Sequence, residues 1–381
     1  MSGDALFVRS LGQVTCAGTG IGALLDRLSD AAWYPELRLD RPDAPSLAVA
    51  TCREFTTQGH LPPLVARRLD RPARLLAVAA REALVPFAGS LPWPRDRIGV
   101  AAATGNAGTE ALFQVLQTVF LAGPEEASPM QFPSTVANAA ASQLGILEKL
   151  SGPNITFAEK QVGGLRALTE AGRLLRHRRA DAVLAVAVDE AHWLNAEGYD
   201  RLRATRRAGR PGFVLGEGAV VLLVSGEPGP SPLARLAGWG SCSSAATTYR
   251  YPADAVAIVR ACESALQTAG IAAGDVDFVV SMANGAPALA KLEQDALERL
   301  FTGRRPAALT VSDRLGEGSF ASLARVAVAV LAVSGLVIPR WGAPDHLSAA
   351  GFAALDGRPG TALVAGVAAG GSAIAAVVTA P

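Results

Sequence analysis

The sequence lacks the apolar run that a membrane helix needs, which is about 18 residues without charge or dilution by small residues. The nearest approach, residues 361–381, is rich in glycine and alanine and is more typical of two buried strands joined by a turn. Met1 to Asp4 contain no basic segment and no apolar segment follows them, so no secretory signal is expected. We therefore predict a cytoplasmic protein that makes no membrane contact.

An excess of charge of either sign is also missing, and so are clusters of metal-binding residues. The 35 basic and 34 acidic residues leave a net charge of +1, which argues against a general nucleic-acid-binding protein. The four cysteines are widely separated and show neither the spacing of a metal site nor that of a disulfide framework. None of the four histidines lies in a glycine-rich turn after an apolar strand. We predict no metal site and assign no catalytic role to a histidine.

The most informative stretch that is present runs from Gly152 to Gly164. Ile155 to Ala158 is short and mostly apolar, as in a strand, and Val162 to Arg176 has apolar residues at helical spacing. Such a strand, turn and helix start is where α/β enzymes present a nucleophile, because the helix N-terminus stabilises negative charge. The residue at this turn is Gln161, whose amide forms hydrogen bonds but cannot attack a thioester.

The remaining pattern predicts an α/β protein with two similar halves. The stretch from Leu61 to Val85 is rich in Arg, Leu and Ala, and after the basic run from Arg67 to Arg71 its apolar residues have the spacing of an amphipathic helix, at Leu75, Leu76, Val78, Ala79 and Leu84. The Gly- and Pro-rich segment from Gly226 to Pro232 is the clearest linker, and the strands and helices after it repeat the order of those before it. We place the boundary there, with one half at residues 1–230 and the other at residues 231–381.

These motifs resemble the ketosynthase branch of the thiolase superfamily. The family's acyl-accepting Cys falls on Gln161, and Gln161 followed by Gly163-Gly164 is similar to the chain length factors of type II polyketide synthases. Those proteins are the non-condensing partners of a ketosynthase. The segment from Gly212 to Gly218, Gly-Phe-Val-Leu-Gly-Glu-Gly, also resembles a family segment. The resemblance implies a thiolase-like fold, with two duplicated βαβαβαββ halves in a five-layer αβαβα arrangement.

The resemblance also assigns positions to the two histidines of a working ketosynthase. Asn284 stands where the first belongs and Glu317 where the second belongs, while Ser312 replaces a Lys and Ala369 replaces the aromatic residue that gates the acyl pocket. No His lies between residues 192 and 346, so a register error of one residue would not restore either imidazole. The resemblance therefore implies no catalytic residue, with Gln161, Asn284 and Glu317 as degenerate catalytic positions.

A chain length factor pairs with a ketosynthase that carries the Cys, as a heterodimer, with a heterotetramer left open. It shapes the tunnel for the growing polyketide and needs no cofactor of its own, since the acyl chain arrives on the phosphopantetheine of an acyl carrier protein. The tunnel and interface residues implied here are Thr109, Leu112, Phe113 and Leu116, although their spacing also fits plain helix packing. Thr109, where a Phe often stands, implies a longer tunnel and a polyene product of secondary-metabolite or antibiotic biosynthesis.

Two other functions stay open. Some ketosynthase-like domains with Gln in place of Cys decarboxylate the malonyl group on an acyl carrier protein to supply starter units, but those domains keep both histidines. The other alternative is a homodimeric lipid- or acyl-binding protein without a polyketide role. Release of carbon dioxide by the purified chain would favour the decarboxylase, and a stable 1:1 complex with a ketosynthase would favour the chain length factor.

Overall fold

The computed structural model of the chain describes residues 6–42, 44–87 and 90–381. Met1 to Asp4, on which the expectation about a secretory signal depends, lie outside the described residues. The strands are β1 (Leu6–Thr15), β2 (Gly18–Thr19), β3 (Leu37–Arg41), β4 (Ala44–Ala50), β5 (Ile98–Ala103), β6 (Asn154–Phe157), β7 (Ala182–Asp189), β8 (Leu215–Gly216), β9 (Gly218–Ser225), β10 (Ala234–Ser243), β11 (Phe278–Val280), β12 (Ala307–Leu309), β13 (Thr361–Val367) and β14 (Ser372–Thr379).

The α-helices alternate with these strands through most of the chain. They are α1 (Gly20–Ser29), α2 (Pro63–Ala66), α3 (Arg71–Leu84), α4 (Thr109–Leu121), α5 (Ala139–Leu147), α6 (Gly163–Arg176), α7 (Trp193–Arg201), α8 (Val256–Ala269), α9 (Pro287–Leu300), α10 (Ser312–Leu315), α11 (Ser319–Val333) and α12 (Asp345–Ala349). Among the helices that the structure describes, none combines the length and the apolar character needed to span a bilayer.

The main sheet has the strand order β12-β11-β13-β14-β10-β1-β9-β7-β5-β6, with β2 paired to β1. Its two halves meet where β1 pairs antiparallel with β10, at Leu6 opposite Leu236. Every residue of β5, β7 and β9 is buried, as expected for strands covered on both faces. A smaller sheet of β3, β4 and β8 lies beside it.

Helices α6 and α11 form a layer between the two halves of the main sheet. Every residue of α11 is buried, and a helix that is apolar on all sides belongs in the interior. The two helices approach closely, because a Cβ added at Gly164 would lie 2.7 Å from the Cβ of Leu323. Helices α3 and α5 cover one outer face of the sheet, and α8 and α9 cover the other. The predicted five-layer α/β arrangement is therefore confirmed.

The amphipathic helix predicted from the spacing of Leu75 to Leu84 is present as α3, which begins at Arg71, and the shorter helix α2 precedes it. The side chain of Asp70 accepts a hydrogen bond from the backbone N–H of Ala73 at 2.9 Å, which caps a new helix, and Pro72 lies in its first turn. Further along, β9 ends at Ser225 and β10 begins at Ala234, and the boundary between halves at residue 230 stays a prediction.

Candidate functional site

Gln161 lies where the sequence predicts it, in the turn between β6 and α6. Residues Lys160–Val162 form one 3₁₀ turn that leads directly into α6 at Gly163. Lys160 has a φ of +47°, a left-handed conformation that is uncommon for a residue with a side chain. Ser319, the first residue of α11, donates its hydroxyl to the carbonyl of Lys160 at 2.6 Å and so holds the turn against the central layer.

The structure brings together the three residues that the resemblance assigns to degenerate catalytic positions. Gln161 and Glu317 line one cavity, and Asn284 donates its side-chain amide to the Glu317 carboxylate at 2.9 Å. The cavity has a volume of about 30 Å³, which is room for a water molecule rather than for an acyl thioester. The side-chain oxygen of Gln161 is buried and has no hydrogen-bond partner among the described residues.

Glu317 lies close to a second buried charge, the guanidinium of Arg325 on α11. Burial raises the pKa of Glu317, and the positive charge of Arg325 and the hydrogen bond from Asn284 oppose that rise. Arg325 donates a hydrogen bond to the hydroxyl of Ser312 at 3.3 Å. Glu317 and Ser312, which the resemblance assigns to the positions of a ketosynthase's second His and its Lys, therefore both face one buried arginine.

The loop that carries Asn284 is fixed by a buried carboxylate outside the cavity. Glu293 of α9 accepts hydrogen bonds from the hydroxyl of Ser281 and the backbone N–H of Met282, both at 2.6 Å. The ring of His346 lies 2.9 Å from the same carboxylate. His346 thus supports the loop and does not enter the site. Within the described ranges, no group of three or more His, Cys, Asp or Glu side chains is arranged to hold a metal ion.

Asp189, at the end of β7, joins the two halves of the chain beneath the cavity. One of its carboxylate oxygens accepts hydrogen bonds from the backbone N–H groups of Gly105 and Asn106, at 2.6 and 2.7 Å. The other oxygen accepts from Ser319 and Phe320 at the start of α11, at 2.5 and 3.3 Å. The fully buried side chain therefore fixes the glycine-rich turn before α4 relative to the helix that carries Arg325.

The predicted tunnel and interface residues on α4 face different surroundings. Leu112 and Leu116 are exposed, whereas Phe113 packs against the rings of His192 and Trp193. The hydroxyl of Thr109 donates to the carbonyl of Asn106 at 2.7 Å and accepts from the side chain of Asn195 at 2.8 Å. Ala369 lies in a different loop, at residues 368–371, and its carbonyl accepts a hydrogen bond from Lys160 at 3.3 Å.

Glu190 lies at the N-terminal end of α4, where its carboxylate accepts the backbone N–H of Glu110 at 3.1 Å. Burial raises the pKa of Glu190 to about 7, and the negative charges of Asp70 and Glu217 add to the rise. The folded state therefore binds the proton of Glu190 more tightly than the unfolded state does. It follows that this group lowers the stability progressively as the pH rises from about 4.5 to about 7.

We expect the variant Glu190→Gln to gain stability relative to the wild type as the pH rises. The difference in the free energy of unfolding between the two proteins should increase by up to about 3 kcal/mol between pH 4.5 and pH 8. Urea denaturation at several pH values measures it. The exposed Glu125→Gln is the matched control and should show no such trend. A difference between Glu190→Gln and the wild type that does not vary with pH would contradict the assignment.

Sequence patterns missed three residues of the site, namely Lys160, Asp189 and Arg325. Arg325 did leave a signal, because it is the single charge in the apolar stretch of α11 from Phe320 to Val333. A charge inside a helix that is buried on all sides needs a buried partner, and here Glu317 is that partner. Asp189 left no local signal, since its partners lie about 84 and 130 residues away in the chain.

Comparisons with known proteins identify the family to which the chain belongs. The sequence models of the beta-ketoacyl synthase N-terminal and C-terminal domains match residues 46–228 and 233–341, together more than half of the chain. The chain is 26% identical over 316 residues to a 3-oxoacyl-[acyl-carrier-protein] synthase 2 of Coxiella burnetii, covering 77% of this chain and 76% of that protein.

Solved structures share the whole fold at low sequence identity. The ishigamide ketosynthase/chain length factor matches with a TM-score of 0.86 at 18% identity, covering 99% of both chains. A ketosynthase in complex with its chain length factor from Xenorhabdus doucetiae matches with a TM-score of 0.84 at 18% identity, covering 99% of this chain and 98% of that one. The thiolase-like fold implied by the sequence motifs is thereby confirmed.

Proposed function

The chain belongs to the beta-ketoacyl synthase family, and from that premise we propose that it is a non-condensing chain length factor. In this role it forms a heterodimer with a ketosynthase that carries the Cys and shapes the tunnel for the growing polyketide. The proposal is supported by the composition of the site, where the resemblance assigns Gln161, Asn284 and Glu317 to the positions of the acyl-accepting Cys and the two histidines, and where Asn284 donates a hydrogen bond to Glu317.

These three side chains cannot perform condensation. The reaction needs a thiolate to hold the acyl group and donors that stabilise the enolate formed on loss of carbon dioxide. A Gln amide is not a nucleophile, and the amide N–H of Asn284 is already bonded to Glu317. Decarboxylation without condensation needs the same enolate donors, so the absence of both imidazoles also argues against starter-unit synthesis.

An exposed apolar surface supports a role in assembly. The 3₁₀ turn of Phe132–Thr135 packs on α4 and α5, and α5 packs on β6. This surface, which we call the α4 surface, exposes large apolar side chains at Leu112, Leu116, Phe120, Leu121, Phe132 and Ile146. Phe120 and Leu121 are each 80% exposed. Apolar patches of this kind mark protein interfaces, and their burial would stabilise a complex.

The edge of the main sheet continues the α4 surface. In the part of the chain that the structure describes, β6 pairs with β5 and has no strand on its other side. A groove of about 670 Å³ runs beside it, lined among others by Ile146 and Ile155. An uncovered strand edge favours pairing with another chain. A homologous ketosynthase subunit fits such a surface, since the similar structures named above are a ketosynthase/chain length factor and a ketosynthase in complex with its chain length factor.

Co-expression with a Cys-bearing ketosynthase from a neighbouring reading frame tests the proposal. We expect the two chains to copurify and to elute from size exclusion as a stable 1:1 complex. The complex, and neither chain alone, should extend malonyl groups that arrive on an acyl carrier protein. If this chain elutes as a homodimer and does not bind the ketosynthase, the result favours the acyl-binding alternative. Release of carbon dioxide by this chain alone would favour the decarboxylase.

We expect Thr109→Phe in that complex to shorten the product. Thr109 is half-buried at the start of α4 beside Asn106, which lines the small cavity, so a phenyl ring there adds bulk near the predicted tunnel wall. The control Thr109→Val removes the hydrogen bonds to Asn106 and Asn195 without adding volume and should leave the product length unchanged. Mass spectrometry of the released products measures the length, and an unchanged length in Thr109→Phe would remove Thr109 from the tunnel.

A further inference from the structure

Lys160 makes contacts that no other lysine of the chain makes. The chain has three lysines, and Lys149 and Lys291 are exposed on the surface. The ammonium group of Lys160 instead donates hydrogen bonds to the carbonyls of Thr248 and Ala369, and it lies 5.6 Å from the centre of the Tyr249 ring, within range of a cation–π contact. Its side chain therefore spans from the turn at Gln161 to two loops of the C-terminal half.

The two loops that receive Lys160 are themselves joined. The backbone N–H of Gly370 donates to the carbonyl of Arg250 at 3.0 Å, and the N–H of Ser244 donates to the carbonyl of Gly371 at 3.0 Å. Lys160 thus adds a third link, from the N-terminal half, to a pair of loops that already hold each other. The left-handed backbone of Lys160 is strained, and a strained conformation persists only where the surrounding contacts hold it.

The side chain of Lys160 lies between the small cavity and the two loops of the C-terminal half. Lys160 lines the same cavity of about 30 Å³ as Gln161 and Glu317, and its side chain continues outward to the two loops. An acyl thioester that was to reach Gln161 from these loops would have to displace the ammonium group from its carbonyl partners. Withdrawal of one charged side chain would open that side of the cavity, whereas the buried contacts of Glu317 would remain.

We infer that Lys160 is a built-in plug, which closes the degenerate acyl cavity against the phosphopantetheine thioester of an acyl carrier protein. This inference rests on the proposed function for the identity of the excluded group, a thioester on a long flexible arm. The cavity therefore lacks a nucleophile and is also closed to the thioester, so that carrier-bound acyl groups are directed to the partner subunit.

The first test uses the wild-type full-length chain and an amine-reactive reagent, acetic anhydride, with peptide mass mapping of each lysine. An ammonium group that donates hydrogen bonds to two backbone carbonyls reacts more slowly than an ammonium group that makes no such bonds. We expect Lys160 to be acetylated at least about tenfold more slowly than the exposed Lys149, with the rate of Lys291, which pairs with Asp295 at 3.0 Å, between the two. Equal rates at the three lysines would overturn the inference.

The second test places a reporter thiol in the cavity. The variant Gln161→Cys is treated with N-ethylmaleimide, and alkylation at position 161 is followed by peptide mapping so that the native cysteines do not interfere. We expect slow alkylation in Gln161→Cys and a rate at least tenfold higher in Gln161→Cys/Lys160→Ala. The matched control Gln161→Cys/Lys291→Ala removes an exposed lysine on α9 and should react as slowly as the single variant. The same fast rate with and without Lys160 would overturn the inference.

A melting curve for each variant keeps the second test interpretable, because a faster rate counts only where the fold is intact. If the variants fail to fold, the acetylation of the wild-type lysines decides alone. The outcome is also separable from the proposed function. If the chain forms the 1:1 complex with a ketosynthase but Gln161→Cys is alkylated rapidly, the inference about Lys160 is wrong and the proposed function stands. If Lys160 is acetylated slowly but the chain binds no ketosynthase, the proposed function is wrong and the closed cavity stands.

Discussion

The variant Asp189→Ala is expected to lower the free energy of unfolding by about 3–5 kcal/mol. The substitution leaves the backbone N–H groups of Gly105, Asn106, Ser319 and Phe320 without their acceptor, and of these residues Ser319 and Phe320 are buried. Each unsatisfied buried donor costs about 1–3 kcal/mol. The expected loss in the free energy of unfolding is smaller than the sum of four such costs. Burial of the charged carboxylate, which raises the pKa of Asp189, already offsets part of the stabilisation by these hydrogen bonds in the wild type.

Urea denaturation measures this loss, provided that the free energy of unfolding depends on urea concentration with the same slope in the variant and the wild type. Asp181→Ala is the control. Asp181 lies just before the same strand and pairs with Arg97 at 2.7 Å, but both side chains are exposed. An exposed ion pair contributes at most about 1 kcal/mol, so the control should unfold close to the wild type. Equal losses in Asp181→Ala and Asp189→Ala would mean that the buried carboxylate does not join the two halves of the chain.

The double variant Leu116→Asp/Phe120→Asp is expected to weaken binding to the ketosynthase by at least about 100-fold. The two residues lie one helical turn apart on α4, and Leu116 is 43% exposed in the isolated chain. Two carboxylates at the centre of an apolar contact would lose the burial of both side chains and would have to be desolvated. Because neither side chain belongs to the core, the variant itself should melt at a temperature near that of the wild type.

Leu336→Asp is the matched control for the α4 surface. Leu336 is an exposed leucine that follows α11 and lies outside the α4 surface, so the same change of charge there should leave binding unaltered. Titration calorimetry or surface plasmon resonance with the purified ketosynthase measures both variants. Wild-type affinity in Leu116→Asp/Phe120→Asp would place the interface elsewhere on the molecule.

Local patterns were sufficient to predict the position of Gln161. The short strand, the turn and the amphipathic helix α6 are each determined by residues close together in the chain, and the structure has them within a few residues of the predicted bounds. The spacing of Leu75 to Leu84 also predicted α3, but it did not predict the first residue of that helix, which follows the cap at Asp70. Periodicity reports which face of a helix is buried and does not report where one helix ends and another begins.

The assembly of the site depended on contacts that spacing cannot reveal. The resemblance assigned Asn284 and Glu317 separately, and their hydrogen bond across 33 residues follows from the fold. Arg325 neutralises Glu317 only because α11 runs through the middle of the molecule. Lys160 gave no signal, since its partners are backbone carbonyls, which every residue has. Long-range polar contacts of this kind appear only once the layers are packed.

The most direct test of the central claim compares this chain alone, the ketosynthase alone and their complex, each incubated with malonyl-loaded acyl carrier protein. Intact-mass spectrometry detects an acyl adduct on either chain, and trapped carbon dioxide reports decarboxylation. We predict no adduct on this chain and no carbon dioxide from it alone, with elongated product from the complex only. An acyl adduct on this chain, or carbon dioxide released by it without the ketosynthase, would contradict a non-condensing role.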